Sequence, residues 1–193
     1  MSKHPKEEMT FVMIKPDGVR RGLTGEITRR IEQRGLKIVA LEMNQATKDE
    51  MDNHYPKDEA WITRVGGKTL TTYEKYGYDP VAEMGTNDAL EIGRQVRQWL
   101  VDFMSSGPVV KMVVQGVHAV DMVRKLAGNT QPYMAEMGTI RGDYSVDSAL
   151  AANKEKRPIL NLVHASETQE EASHEIEHWG MKDKIYTYQR SDE

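Results

Sequence analysis

The sequence predicts an α+β domain of the ferredoxin-like split βαβ kind: a four-stranded antiparallel sheet with helices on one face, interrupted by a long inserted segment. Two observations lead there. Apolar runs of strand length occur at Thr10–Ile14, Leu36–Met43, Val109–Val114 and Ile159–Val163. Helix signals fall inside each half, so the order reads β-α-β, then a small helix and inserted matter, then β-α-β.

Taken in order, Thr10–Ile14 (TFVMI) reads as a buried strand, and Lys15-Pro16-Asp17-Gly18 as a turn whose backbone is set by Pro and Gly. Thr24–Arg34 places Ile27 and Ile31 four apart, with Gly35 as a C-terminal stop. Leu36–Met43 alternates apolar and polar residues, as a half-buried strand does. Thr47-Lys48-Asp49-Glu50 is a capping-box pattern that opens a short helix ending near His54 and Tyr55. Val109–Val114 (VVKMVV) is a third strand, and Ala119–Leu126 a helix closed by Gly128. Ile159–Val163 is the last strand. Thr168–Glu171 offers a second capping box, and Gly180 ends the final helix.

Two stretches exceed what a connection needs. The chain is therefore read as one domain, 1–193, with insertions at about 56–104 and 145–158. Within the first, Asp88–Phe103 sets Ile92, Val96, Trp99, Leu100 and Phe103 at helical spacing, with Asp88 and Glu91 as a cap. The part before it is rich in Gly, Thr and Tyr and is expected to be hairpin-like or irregular.

Composition narrows the function classes. At 193 residues the chain buries a proper core, and 29% charged with 38% hydrophobic residues suits a globule rather than a disordered chain. A net charge of −4 confines any nucleic-acid binding to a local patch, and nucleic acid is not expected as a partner. The absence of cysteine excludes disulfides, thiolate catalysis and cysteine-ligated metal. No signal-like or membrane-spanning apolar run is present, so a cytoplasmic location and no membrane association are expected.

Chemistry concentrates around His164. It follows a β-branched and aliphatic run and precedes a helix start, and helix N-termini favour anions. Imidazole is available as a neutral nucleophile near pH 7. Lys15 after the first strand, Arg124 on the helix after the third, and Arg141 between two glycines (Gly138-Thr139-Ile140-Arg141-Gly142-Asp143) supply charge suited to phosphate. Glu175 lies on the inward stripe of the last helix with Ala172, Ile176 and Trp179; a carboxylate turned inward needs a partner, and His164 is the one at hand. The same helix carries His174-Glu175-Ile176-Glu177-His178, which fits the H-E-x-x-H zinc pattern. Its two histidines fall opposite the apolar stripe and are expected to face solvent, which argues against a metalloprotease.

These residues together resemble the nucleoside diphosphate kinase family. The resemblance runs through Thr10–Tyr55, Ser106–Asp143 and Asn161–Trp179. Its motifs are Ile14-Lys15-Pro16-Asp17-Gly18-Val19-x-Arg21-Gly22-Leu23, Ser106-Gly107-Pro108-Val109-Val110, Gly138–Asp143 and Asn161-Leu162-Val163-His164-Ala165-Ser166, in family order. The resemblance implies ping-pong transfer of the γ-phosphate of a nucleoside triphosphate to a nucleoside diphosphate through a phosphohistidine on His164. It implies that Lys15 and Asn161 hold the sugar hydroxyls, that Lys15 also reaches the transferring phosphate, and that Arg124, Thr130 and Arg141 bind phosphates. Tyr55 would position the histidine and γ-phosphate, Ser166 and Glu175 would support the ring, and Leu100 would match an aliphatic at the base. Mg²⁺ would be carried by the nucleotide phosphates rather than by protein ligands. A homo-oligomer, tetramer or hexamer, is implied in the same way.

The chain departs from the family pattern in four places. Glu167 stands where the family has Asp, Ala165 replaces a common Gly, and residues are added between Asp143 and Asn161. The base-stacking aromatic between Tyr55 and Ser106 has no counterpart, and Trp61 is the candidate substitute. Two alternatives follow from other classes. One is a catalytically impaired, nucleotide-binding regulatory relative, against which the retained His164, Lys15, Arg124 and Arg141 argue. The other is an RNA-binding module of the same fold, against which the missing aromatic strand motif and a total of two Phe argue.

Overall fold

The computed structural model describes residues His4–Ser191. Its first elements are β1 (Glu8–Ile14), α1 (Pro16–Arg20), α2 (Thr24–Gln33), β2 (Lys37–Asn44), α3 (Lys48–His54), α4 (Glu59–Tyr76) and α5 (Pro80–Met84). There follow α6 (Ala89–Met104), β3 (Val109–Gly116), α7 (Ala119–Ala127), α8 (Ile140–Tyr144), α9 (Ala149–Lys154), β4 (Val163–Ala165) and α10 (Gln169–His178). The chain divides into two compact units: one runs up to Asn44, through Pro108–Val146 and onward from Asn161, the other comprises Gln45–Gly107 and Asp147–Leu160.

The first unit holds the four strands, in the order β2-β3-β1-β4 with every neighbouring pair antiparallel. This is the α+β sheet that the apolar runs predict. Val12 and Ile14 of β1 share one face with Val110, Met112 and Val114 of β3, and Ile27 and Ile31 of α2 and Val123 and Ala127 of α7 close over them. Each large side chain buried there contributes about 1.5–3 kcal/mol. The other face of β1 is covered as well. Phe11 stacks on Trp179, just past α10, with ring centroids 6.2 Å apart and planes 3° apart. The two crossover helices thus share a face, and α10 adds cover on the opposite one. That is why Phe11–Ile14 are buried in succession instead of alternately.

The last strand begins later than its apolar run indicates. Ile159–Leu162 stay outside the sheet and β4 is only Val163–Ala165, so His164 lies at the middle of the strand rather than after its end. The break lies at Leu162, whose φ of +69° interrupts the extended path. The Thr47 capping box forms as expected, with reciprocal bonds of 3.2 and 2.8 Å between Thr47 and Glu50. The Thr168 box closes by half. Thr168 accepts the Glu171 N–H at 3.1 Å, but the Glu171 carboxylate takes the Glu167 N–H instead.

The second unit is helical among its described residues, and here the expected irregular stretch is a helix. Glu59–Tyr76 forms 18 residues of α4, N-capped by Asp58. Its Gly66 looks like a helix breaker, yet it serves packing. A Cβ on Gly66 would lie 1.8 Å from the Ala89 carbonyl oxygen of α6, and one on Gly93 of α6 would lie 2.0 Å from the Ile62 carbonyl oxygen of α4. The two helices therefore meet backbone to backbone, and only glycine permits it. Tyr73, Met84 and Ile92 form the buried centre beside this contact, with Trp99 and Leu150 packed on it. Gly66→Ala gains about 1 kcal/mol in helix propensity but is expected to lose about 1–3 kcal/mol net by forcing the helices apart. A fall in the urea midpoint followed by circular dichroism checks this.

Candidate active site

The site grows from the end of β1. Ile14 is the last strand residue, and Lys15 N-caps α1 with an extended backbone, followed by Pro16 at the first helical position. The Lys15 N–H donates to the Leu162 carbonyl at 2.8 Å, and the Leu162 N–H donates to the Asp17 carboxylate at 3.0 Å. The Val163 N–H turns back onto the Asn161 carbonyl at 2.7 Å, so Leu162 is the centre of a γ-turn with positive φ, a rare and strained form. Beyond this turn the chain enters β4, where His164 pairs with Met13.

His164 is held from behind. Its Nε2 lies 2.6 Å from a carboxylate oxygen of Glu175, which is buried on α10. The second Glu175 oxygen accepts the Ser166 hydroxyl at 2.7 Å, and Ser166 is fully buried against the Phe11 backbone. A carboxylate at Nε2 keeps the proton on that nitrogen, which leaves the imidazole lone pair on Nδ1. Phe11 flanks the ring at a centroid distance of 6.2 Å.

In front of His164 lies a cavity of about 400 Å³, bordered by Lys15, Arg124, Thr130, Arg141, Asn161 and His164. The Lys15 ammonium donates to Asn161 Oδ1 at 2.8 Å, and Asn161 Nδ2 donates to the Thr130 carbonyl at 2.9 Å. Arg141 is buried, and its guanidinium donates to three carbonyls: Asn161 (3.2 Å), Gly128 (2.7 Å) and Val163 (2.8 Å). Two of its five N–H groups are not used in these bonds. Arg124 is more exposed and meets the Glu167 carboxylate at 3.4 Å.

The electrostatics follow from this crowding. Burial, aided by the Arg141 charge and opposed by Asp17, lowers the Lys15 pKa to about 8. Burial, aided by Arg124 and opposed by Asp17, lowers that of Arg141 to about 10. Three cations beside an imidazole make a site suited to an anion.

Eight of the ten residues singled out in the sequence fall in this first unit. Tyr55 and Leu100 belong to the second. Tyr55 C-caps α3, where Arg97 of α6 pins the helix end by donating to the Asp52 and Tyr55 carbonyls at 2.6 and 3.0 Å. Its ring lies 6.3 Å from that of Trp61, and Leu100 is half-buried on α6. His174 and His178 are exposed, as their helical phase requires. Sequence reasoning missed Asp17 and Leu162. Asp17 sat in what read as ordinary turn chemistry; a carboxylate followed by Gly beside a buried strand was the available signal.

The profile of the nucleoside diphosphate kinase family matches residues 8–61 and 90–185. The chain belongs to the nucleoside diphosphate kinase family. It is 48% identical over 178 residues to a nucleoside diphosphate kinase of Pyrobaculum aerophilum, covering 92% of this chain and 97% of that one. A second relative, from Archaeoglobus fulgidus, is 37% identical, with 96% and 95% covered. Among solved structures, an NDP kinase from Pyrobaculum aerophilum superposes with a TM-score of 0.89 at 46% identity, covering 94% of this chain and all of that one. A Borrelia burgdorferi nucleoside-diphosphate kinase, solved as a transition-state mimic with bound vanadate and ADP, gives 0.74 at 33% identity, with 98% and 96% covered. The protein is thus a phosphotransferase that acts on nucleotides, and its reaction calls for a divalent metal. Among the described residues no helix is long and apolar enough to cross a membrane.

The depressed Lys15 pKa gives nucleotide binding a pH dependence with a definite sign. A bound phosphate favours the ammonium and raises its pKa above that of the empty site, so affinity falls as pH rises between the two. ADP affinity is expected to drop by up to about tenfold per pH unit above about 8. Lys15→Arg, which stays protonated, should flatten the profile. Calorimetric titrations across that range check both.

Proposed function

We propose that His164 Nδ1 is the phosphoryl acceptor in a ping-pong exchange between nucleoside tri- and diphosphates. The observation that carries this reading is the 2.6 Å contact from the buried Glu175 to Nε2, which leaves the lone pair on the other ring nitrogen. Nδ1 attacks the γ-phosphorus, the bond from that phosphorus to the β–γ bridging oxygen breaks, and the nucleoside diphosphate departs with the electron pair. A second nucleoside diphosphate then enters and takes the phosphoryl group back through the reverse step.

Lys15, Arg124 and Arg141 hold the phosphate oxygens and oppose the charge gathering on them. Lys15 and Asn161 take the sugar hydroxyls, Thr130 adds a phosphate contact, and Ser166 with Glu175 stabilises the ring as it becomes positively charged. Tyr55 and Leu100 carry the roles that the family resemblance gives them, in positioning and at the base.

The divalent ion is Mg²⁺ carried on the nucleotide. The donor set fits this. The charged groups at the cavity are mainly cationic, and its two bordering carboxylates, Glu167 and Glu171, are engaged with Arg124 and with the Glu167 N–H. His164, Glu171 and Glu175 offer donor atoms within 4.8 Å of one another, but His164 and Glu175 are already bonded together. When bound, the ion would offset charge on the nucleotide phosphates. The resemblance further supports a cytoplasmic homo-oligomer, a tetramer or hexamer.

Intact-mass measurement at neutral to alkaline pH tests the nucleophile. After Mg·ATP the protein should gain one phosphoryl group, which excess GDP removes as GTP appears. His164→Ala should show no gain and lose more than about 10³-fold in turnover while still binding ADP; a gain in that variant would sink the assignment. Glu175→Gln should slow turnover by about 10- to 100-fold, since it can no longer dictate which ring nitrogen bears the proton.

A further inference from the structure

Asp17 takes no part in the chemistry proposed above, yet it stands at the junction on which that chemistry turns. Its side chain is buried, and Oδ2 accepts the Leu162 N–H at 3.0 Å. Oδ1 is buried with no hydrogen-bond partner. A buried carboxylate with one oxygen unsatisfied is costly, so its presence calls for a reason.

The reason lies in Leu162. A leucine has no intrinsic preference for φ +69°, and the γ-turn it centres persists only if the surroundings over-determine it. The turn after β1 does this from three sides. Lys15 N–H caps the Leu162 carbonyl, Asp17 caps the Leu162 N–H, and the missing side chain of Gly18 leaves room for that carbonyl, which a Cβ would approach to 3.0 Å. His164 follows two residues later on a strand of only three residues, so the angle of the γ-turn decides where the imidazole points.

We propose that Asp17 is the positioning residue of His164: by holding the Leu162 N–H it keeps the γ-turn closed and fixes the entry of the imidazole into the cavity. This rests on His164 being the phosphoryl acceptor. Asp17 has a second and separable effect, as the negative charge that favours the protonated forms of Lys15 and Arg141.

Two substitutions separate position from charge. Asp17→Asn removes the charge but keeps an oxygen where the Leu162 N–H needs it. Asp17→Glu keeps the charge and displaces the acceptor by a methylene. The readout is the single-turnover rate of phosphohistidine formation from Mg·ATP near neutral pH, with ADP Kd measured separately and folding checked by circular dichroism. Asp17→Asn should stay within about threefold of the unsubstituted protein, and Asp17→Glu should be slower by about 10- to 100-fold with Kd moved less than about threefold, the scale for a reacting group displaced by about 1 Å. Asp17→Asn should also move the alkaline limb of the rate profile to lower pH. If Asp17→Glu does not fold, Asp17→Ala takes its place with the same expectation. An unimpaired rate in Asp17→Glu, or a rate in Asp17→Asn as low as in Asp17→Glu, would overturn the proposal. Absence of phosphoryl uptake by the unsubstituted protein would overturn the His164 assignment itself, and this proposal with it.

Discussion

Three residue pairs tie the imidazole to β1, an interior and largely buried strand of the sheet: Val12 with Ala165, Met13 with His164, and Ile14 with Val163. So short a ladder leaves orientation to what flanks it. Before His164 stands the γ-turn at Leu162. After it, Ser166 exchanges bonds with the Phe11 backbone, its N–H donating to the Phe11 carbonyl at 3.2 Å and its hydroxyl accepting the Phe11 N–H at 3.3 Å. The histidine is therefore bracketed on both sides by contacts to β1 and the turn that follows it. Lys15 belongs to that same turn, so imidazole and cation are registered to each other by one stretch of backbone.

Around that frame the protein gathers charge that it does not neutralise. Burying Lys15 beside Arg141 disfavours both cations, and the lowered pKa values express that cost. An anion bound between them would relieve it. Arg124 is arranged differently, with a partner, Glu167, that is largely solvated. An exposed pair of that kind is worth about 0–1 kcal/mol, so Arg124 can turn to a phosphate at little expense. Two cations are thus fixed and one is adaptable.

Much of this was legible in the sequence where one residue type has one physical meaning. The Thr47 box, the Asp88 cap, the inward phase of Glu175 and the outward phase of His174 and His178 all follow from helical geometry. What escaped were residues whose role depends on a distant partner. Gly66 suggests irregular chain until a second helix is laid against it. Leu162 gives no local hint of a left-handed conformation, because the bonds that impose it come from residues about 145 positions away. The start of β4 was misjudged for the same reason: apolar character continues through Ile159–Leu162 while pairing does not.

Arg141 carries one more consequence. Its guanidinium joins two segments, the loop at Gly128 and the turn that runs from Asn161 into Val163, through three carbonyls. The same planar fork is both strut and charge. Lysine would keep the charge but could not span three carbonyls in one plane, and glutamine could keep part of the bonding but none of the charge. At this position the shape of the cavity and its affinity for anions rest on one side chain, so neither substitution keeps both.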